Sequence, residues 1–294
     1  MAEHCIPRAF VIGDPIAQSK SPLIHNHWLT QAGLQGHYEA HHIVPDKLQC
    51  FLEKLLADPH RPGGNVTAPH KESVHHWLKL QSDKAELTAM AARLGAVNTL
   101  YRRGEVLIGD NTDGYGFAAN LDEHAPNWDA DLSETLVIGA GGASRAVIVA
   151  LDHRRHPGEV IHVVNRTVGR AQALIADLQL VDAQAHSFDE LNRLSSTASF
   201  AVNTTSLGMS GHQSSTILTD AASQLRVGTV ATDIVYTPLM TPFLVAARQA
   251  GATTIDGLGM LLHQAVPGFE AWFGVRPTVT ADVRKMVLEA MEVG

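Results

Sequence analysis

Two guanidiniums and a glycine turn, 27 residues apart at their first members, are the residues in this sequence best suited to hold a phosphorylated cofactor. The turn is Gly139-Ala140-Gly141-Gly142-Ala143-Ser144, directly after the apolar run Thr135–Ile138 and at the start of a helical pattern. Glycines there let the backbone approach a pyrophosphate, and the helix N-terminus offers free N–H groups and partial positive charge. Ser144 replaces the third glycine of the G-x-G-x-x-G pattern but is small enough for close helix–strand packing. A glycine-rich turn alone often only satisfies backbone geometry; the strand-turn-helix context here points to a dinucleotide. An NAD site would place Asp or Glu at the end of the next strand to hold the ribose hydroxyls. This chain has Asn165-Arg166-Thr167 and then Arg170. Two guanidiniums and a hydroxyl suit a 2′-phosphate. As plain solvated cations at a helix start they would be mildly unfavourable. The pattern therefore reads as an NADP site.

Four further segments place polar residues at strand ends. They are Gly13–Asn26, with Ser19 and Ser21; Asn65–Glu72, with Thr67, Pro69 and Lys71; Gly95–Leu100, with Asn98, closely followed by Gly109–Gly114, with Asp113; and Asp256–Gln264. Together with Asn203–Met209 and Asp233–Pro238 they resemble the shikimate dehydrogenase family over nearly the whole chain. The joint order and spacing carry the resemblance, since each motif alone is modest. The resemblance implies that Ser19 and Ser21 hold a substrate carboxylate. It places Asn65, Thr67, Asn98 and Gln264 on the ring hydroxyls or carboxylate, Lys71 and Asp113 on the catalytic pair, and Tyr236 beside the substrate. Thr205 and Gly257 join the glycine turn on the cofactor. The sequence departs from the family pattern at Ala68, where Val is frequent, at His70, where an aromatic often stands, and at His263, where a small residue is common.

The chemistry agrees with these roles. Shikimate is a small anion with three hydroxyls, and two Ser, one Thr, two Asn and one Gln supply neutral donors and acceptors for it. Oxidising an alcohol removes a hydride, which passes to the nicotinamide, and a proton, which needs a base; the reverse needs an acid. A lysine can serve both ways. Lys71 follows Pro69 at a helix start, where the dipole disfavours a cation, whereas Asp113 favours it. Asp113 is read as orienting the lysine and the substrate hydroxyl. Solvated or capping roles also suit these residue types: Lys71 on a helix face, Asp113 as a cap, Ser19 and Ser21 in a turn.

Short apolar strands alternating with amphipathic helices must position these groups. Strands are expected at 8–13, 37–44, 63–67, 135–138, 159–164, 200–202 and 230–235, with a hairpin around Arg102-Arg103-Gly104. Helices are expected from Pro22 to Gly33, from Pro45 to Asp58, after Pro69, from Asp83 to Leu94, from Asp113, over 143–153 and 167–179, and after Ile255. The polar stretch His124–Asp131 suggests a domain crossover. The fold class is α/β in two domains. An N-terminal substrate domain, residues 1–114, is completed by C-terminal helices, 259–294, and a Rossmann-type NADP domain, 115–258, is inserted between them.

Composition excludes other classes. The chain has 294 residues, a formal net charge of -8, 45% hydrophobic and 18% charged residues. It can bury real cores, and its charge makes it a poor general nucleic-acid binder. Cys5 and Cys50 cannot build a disulfide scaffold. With no apolar run long enough for a membrane span and no signal-peptide pattern, the expected setting is cytoplasmic, as a monomer or homodimer acting on shikimate and 3-dehydroshikimate. The 17 histidines are a surplus, but no H-E-x-x-H or Cys/His spacing accompanies them and the chemistry needs no metal, so no metal is expected. Most read as surface or half-buried polar residues; His70 and His263, flanking Lys71 and Gln264, are the two with possible bearing on the site. Competing readings are a quinate or dual quinate/shikimate enzyme, an aminoshikimate-pathway relative, and a non-catalytic NADP-binding regulator, against which the intact Lys71 and Asp113 argue.

Overall fold

The structure is a computed structural model that describes residues 6–81, 83–209 and 216–292. The chain divides into two compact units, Met1–Thr112 with Gln264–Gly294, and Asp113–His263. The first unit runs β1 (Arg8–Gly13), α1 (Ser21–Gln31), β2 (His37–His42), α2 (Pro45–Ala57), β3 (Gly63–Val66), α3 (Lys71–Lys79), β4 (Ala85–Leu87), α4 (Ala89–Leu94), β5 (Thr99–Arg103) and β6 (Val106–Asp110). Its sheet has the order β2-β1-β3-β5-β6-β4. β1 pairs in parallel with β2 and β3, and β5 runs antiparallel to both β3 and β6.

The uninterrupted apolar run of β1 follows from burial on both faces. Phe10 and Ile12 pack with Leu52, Val66, Val74 and Leu78 beneath α2 and α3. Ala9 and Val11 pack with Tyr38 and Trp272 on the other face. The expected helix starting at Asp83 is not formed. The chain instead lays β4 beside β6 in parallel and begins α4 only after Thr88, whose Oγ1 accepts from Ala91 N at 3.2 Å. A cap that satisfies the third helical N–H outweighs the helical pattern upstream. The second expected strand also stops short, because Val44 and Pro45 start α2.

The second unit runs α5 (Asp113–His124), β7 (Glu134–Ile138), α6 (Gly142–Asp152), β8 (Val160–Val164), α7 (Val168–Asp177), β9 (Ala183–His186), a 3₁₀ turn (Phe188–Glu190), α8 (Leu191–Ser195), β10 (Phe200–Asn203), α9 (Thr216–Ala222), β11 (Val230–Asp233), α10 (Pro242–Gln249), β12 (Thr253–Ile255) and α11 (Leu258–His263). The sheet is wholly parallel, in the order β12-β11-β10-β7-β8-β9. This is the doubly wound dinucleotide-binding order, and it reverses direction between β7 and β10. One face is packed by Leu136, Ile138, Val164, Leu191, Leu194, Phe243 and Leu244. The polar stretch His124–Asp131 lies inside this unit, held by buried Trp128, which rests between Phe117 and Phe200 and donates its ring N–H to Asp122 at 2.8 Å. The chain then returns to the first unit as α12 (Ala265–Phe273) and α13 (Ala281–Glu292). Trp272 of α12 donates to Leu100 O of β5 at 2.8 Å.

Among the described residues no helix is long and apolar enough to cross a membrane. Cys50 is free and exposed; Cys5 lies outside the described residues.

Candidate active site

In the first unit, the strand-end segments converge as a hydrogen-bonded polar cluster. Ser19 closes the turn after β1, its N–H donating to Ile16 O at 3.0 Å, and its hydroxyl accepts from Ser21 N at 3.3 Å. Ser21 begins α1 with Pro22 behind it, so both serines stand at a helix N-terminus. Lys20 between them turns away and donates to Ala290 O of α13 at 2.8 Å. Thr67 N donates to Ile12 O at 2.9 Å. The Thr67 methyl fills the space over Gly13, where an added Cβ would lie 2.5 Å from it.

Asn65 is buried in β3. Its Oδ1 accepts from the Tyr38 hydroxyl at 2.6 Å, and its Nδ2 donates to Asn98 O and Thr99 Oγ1, both at 3.2 Å. Asn98, just before β5, accepts at Oδ1 from Thr112 N at 2.9 Å and Thr99 Oγ1 at 2.8 Å. Thr112 Oγ1 in turn donates to Gln264 O at 2.8 Å. Thr112 and Gln264 are the residues of the first unit at which the chain leaves it and returns. Burial pushes the Tyr38 phenol well above its usual range, so it stays a donor. Sequence reasoning did not single out Tyr38, Thr99 or Thr112. Thr112 stood in plain view beside Asp113, but only the folded contacts show what it holds.

Lys71 is the first residue of α3, with His70 as its cap, and its backbone carbonyl accepts from Val97 N at 2.9 Å. Asp113, the residue after Thr112, opens α5. That helix is seated by two glycine approaches: a Cβ on Gly114 would meet Ala146 O at 2.9 Å, and one on Gly259 of α11 would overlap Asn120 Oδ1.

In the second unit, the glycine turn stands where the strand order reverses. Gly139 has φ +115°, and a Cβ there would press on Thr204 and Thr205. Around Gly141 and Gly142 an added Cβ meets nothing within 4 Å, so space lies open at the N-terminus of α6. Ala140 and Ala143 flank that space with small side chains. These features fit a pyrophosphate. Ser144 does more than stay small: its hydroxyl accepts from Gly141 N at 3.0 Å and bonds Thr204 Oγ1 at 2.6 Å, while Thr204 Oγ1 reaches Ile138 O at 2.8 Å. Thr205 Oγ1 donates to Asn203 Oδ1 at 2.7 Å.

Beyond β8, Asn165 N donates to His186 O at 3.1 Å and Asn165 Nδ2 to Thr167 O at 2.8 Å, which fixes the loop carrying Arg166. Arg166, Thr167 and Arg170 line the exposed side of this loop and the start of α7, and among the described residues neither arginine has an acidic partner. Tyr236 follows β11 and is largely buried, which raises its phenol pKa. Gly257 tolerates no side chain, since a Cβ would sit 2.6 Å from Asp233 O and Ile234 O. Asp233 is wholly buried and accepts from Thr241 Oγ1, Asn203 Nδ2 and Val235 N. Desolvation raises its carboxyl to about 6 against those bonds.

Among the described residues most histidines are exposed or half-buried, in line with the sequence reading. His70 and His263 have structural partners: His70 Nε2 bonds Ile43 O at 2.6 Å and His263 Nε2 bonds Glu123 at 2.7 Å. Among the described residues four histidines, His25, His70, His162 and His186, are buried. His25 stacks on Tyr38 at 4.1 Å between centroids, and burial lowers it to about 3. Neither of its ring nitrogens meets a partner at hydrogen-bonding geometry among the described residues, although the Asn65 amide offsets part of the burial cost. Among the described residues no three His, Cys, Asp or Glu side chains are grouped so as to hold a metal ion.

Three family models match the chain. They are the shikimate dehydrogenase substrate binding domain over residues 11–100, shikimate / quinate 5-dehydrogenase over 123–225, and the shikimate 5′-dehydrogenase C-terminal domain over 257–285. Shikimate dehydrogenase (NADP(+)) of Brucella abortus (strain S19) is 49% identical over 286 residues, 97% of this chain and 94% of that protein. The crystal structure of shikimate 5-dehydrogenase from Thermus thermophilus in complex with NADP(H) and shikimate is 32% identical. Its TM-score is 0.79, with coverage of 97% of this chain and 99% of that one. Quinate dehydrogenase from Corynebacterium glutamicum in complex with NAD is 29% identical with a TM-score of 0.83, covering 96% and 99%.

Proposed function

The chain belongs to the shikimate dehydrogenase family, and on that premise we propose how its own residues divide the work. The protein is an NADP-dependent oxidoreductase that interconverts 3-dehydroshikimate and shikimate, a step toward chorismate and the aromatic amino acids. The first unit, residues 1–112 with 264–294, is the substrate domain and the second, 113–263, the NADP domain; the boundaries expected from the sequence, 114/115 and 258/259, shift because α5 and α11 belong whole to the second unit.

Ser19 and Ser21 take the substrate carboxylate at the start of α1. Asn65, Thr67, Asn98, Tyr236 and Gln264 take its hydroxyls. Asn65 meets them through the free lone pair of Oδ1, because both of its N–H bonds are engaged. Lys71 holds or releases the proton at the reacting oxygen, and Asp113 orients it. NADP, when bound, supplies or accepts the hydride. Gly139, Ala140, Gly141, Gly142 and Ala143 hold the pyrophosphate. Asn165, Arg166, Thr167 and Arg170 hold the 2′-phosphate, with Thr205 and Gly257 completing the cofactor site. A cytoplasmic setting and a monomeric or homodimeric state belong to the same proposal.

The observation that carries the cofactor choice is the pair of exposed arginines after β8, with no carboxylate on the loop at 165–167. Formation of reduced cofactor by the purified protein, with shikimate and quinate each offered NADP and NAD, tests it. Turnover of shikimate with NADP is expected; turnover only of quinate with NAD would overturn the assignment.

A further inference from the structure

His70 stands directly before Lys71 as the cap residue of α3, yet its side chain makes no cap bond. The imidazole is buried and its Nε2 lies 2.6 Å from Ile43 O. A carbonyl only accepts, so Nε2 carries the hydrogen in that contact. A phenyl ring at this position would fill the same space and leave Ile43 O without this donor.

The bond joins strand ends that the sheet keeps apart. In the order β2-β1-β3, β1 lies between the other two. Ile43 follows β2 and donates its N–H to the carbonyl of Gly13, the last residue of β1, at 3.2 Å. On the other side, Thr67 N donates to Ile12 O at 2.9 Å, Asp14 N to Ala68 O at 3.1 Å and His70 N to Thr67 O at 3.0 Å. Backbone bonds thus tie the ends of β2 and β3 each to β1, and the His70 side chain closes the circuit from β3 back to β2. The tied segments lead into the substrate site: Ser19 and Ser21 follow β1, Thr67 follows β3 and Lys71 opens α3. Lys71 is held from a second side, where its carbonyl accepts from Val97 N at 2.9 Å, next to Asn98. Val74 and Leu78 bury the body of α3 in the core, so the His70 bond governs the first turn rather than the helix as a whole.

We infer that His70 is a positioning residue for proton transfer: its hydrogen bond to Ile43 O fixes the first turn of α3, and with it the approach of the Lys71 side chain to the reacting oxygen. This rests on the reading of Lys71 as the residue that holds that proton. A shift of about 1 Å in the placement of a reacting group can cost about a hundredfold in rate. The bond is therefore read in the chemical step and not in ligand binding.

The test compares wild type with His70→Phe and His70→Gln. It measures single-turnover reduction of 3-dehydroshikimate by NADPH, KM for shikimate and for NADP, and the thermal midpoint. Phe fills the space without a donor, whereas the Gln amide carries an N–H to the place of Nε2. His70→Phe is expected to slow the single turnover about fivefold to tenfold, the scale of one lost buried hydrogen bond. Both KM values should stay within about twofold of wild type. His70→Gln should retain most of the wild-type rate. Added to Lys71→Ala, His70→Phe should slow turnover no further, because residues that act through one another are not additive. A merely structural role would bring the same loss in both backgrounds. A wild-type rate in His70→Phe overturns the inference, as does an equal loss in the Phe and Gln variants or a full further loss on top of Lys71→Ala. If His70→Phe does not fold, His70→Met carries the same expectations. Full turnover in Lys71→Ala overturns the reading of Lys71 together with the inference, whereas a loss there with none in His70→Phe overturns the inference alone.

Discussion

Lys71 and Arg166 do different jobs, and single substitutions separate them. Lys71 stands at the first position of α3, where its loss breaks no helix interior. Lys71→Ala is expected to lower kcat by about 10²–10⁴, the usual worth of a positioned acid or base, while shikimate affinity falls much less. Single-turnover reduction of 3-dehydroshikimate, alongside equilibrium binding of shikimate, reads both. Equal turnover in the variant removes Lys71 from proton transfer. Arg166 is exposed and unpaired with any described acid, so its removal costs the fold little. Arg166→Ala is expected to raise KM for NADP about 10- to 100-fold, as loss of a charge-assisted bond to phosphate would. KM for NAD should hardly move; a parallel rise for both cofactors would assign Arg166 to the adenine or to the loop itself.

At the scale of elements, the contacts among strand ends matter more than any single motif. Thr112 shows why: its N–H is taken by Asn98 Oδ1 and its hydroxyl by Gln264 O. Thr112→Val keeps the shape and removes the hydroxyl, leaving the Gln264 carbonyl without that donor. It should cost about 1–3 kcal/mol of stability and raise KM for shikimate more than KM for NADP. Denaturant unfolding and initial rates measure the two effects, and unchanged KM values would limit Thr112 to a structural role. The sequence made β1, the glycine turn and the later βα units legible because continuous apolar runs followed by Gly or Pro have few other solutions. It did not reveal β9, whose Ala183-Gln184-Ala185-His186 lacks an apolar run, because its place is set by β8 beside it. The helix expected from Asp83 failed for a related reason, since pairing with β6 claimed Ala85–Leu87. The motif residues of the site could be read in order, but Tyr38 could not: nothing on β2 distinguishes it until its hydroxyl is found on Asn65.

At the scale of the whole molecule, the two units respond to acid with opposite sign through one buried group each. His25 in the first unit is lowered from 6.5 to about 3 by desolvation. Between those values the unfolded chain binds more protons than the folded one, so this residue withdraws stability as pH falls through 6.5. Asp233 in the second unit is raised from 3.8 to about 6, also by desolvation. In that window the folded state binds the additional proton, so this residue adds stability as pH falls and loses it as pH rises toward 6. At 1.36 kcal/mol per unit of pKa, each contributes about 3 kcal/mol between pH 6.5 and pH 4, with opposite sign. A chain built this way should leave two-state behaviour in mild acid, with the first unit opening ahead of the second. Amide hydrogen exchange at pH 4.5 and pH 6.5, corrected for intrinsic rates, should show protection lost in β1, β2 and α1 before β7, β8 and β10. His25→Phe keeps the stacked ring and should flatten the acid response of the first unit. Asp233→Asn keeps the buried amide-sized group and should remove the gain in the second. If both variants follow the wild-type profile in both units, these two groups do not set the acid response.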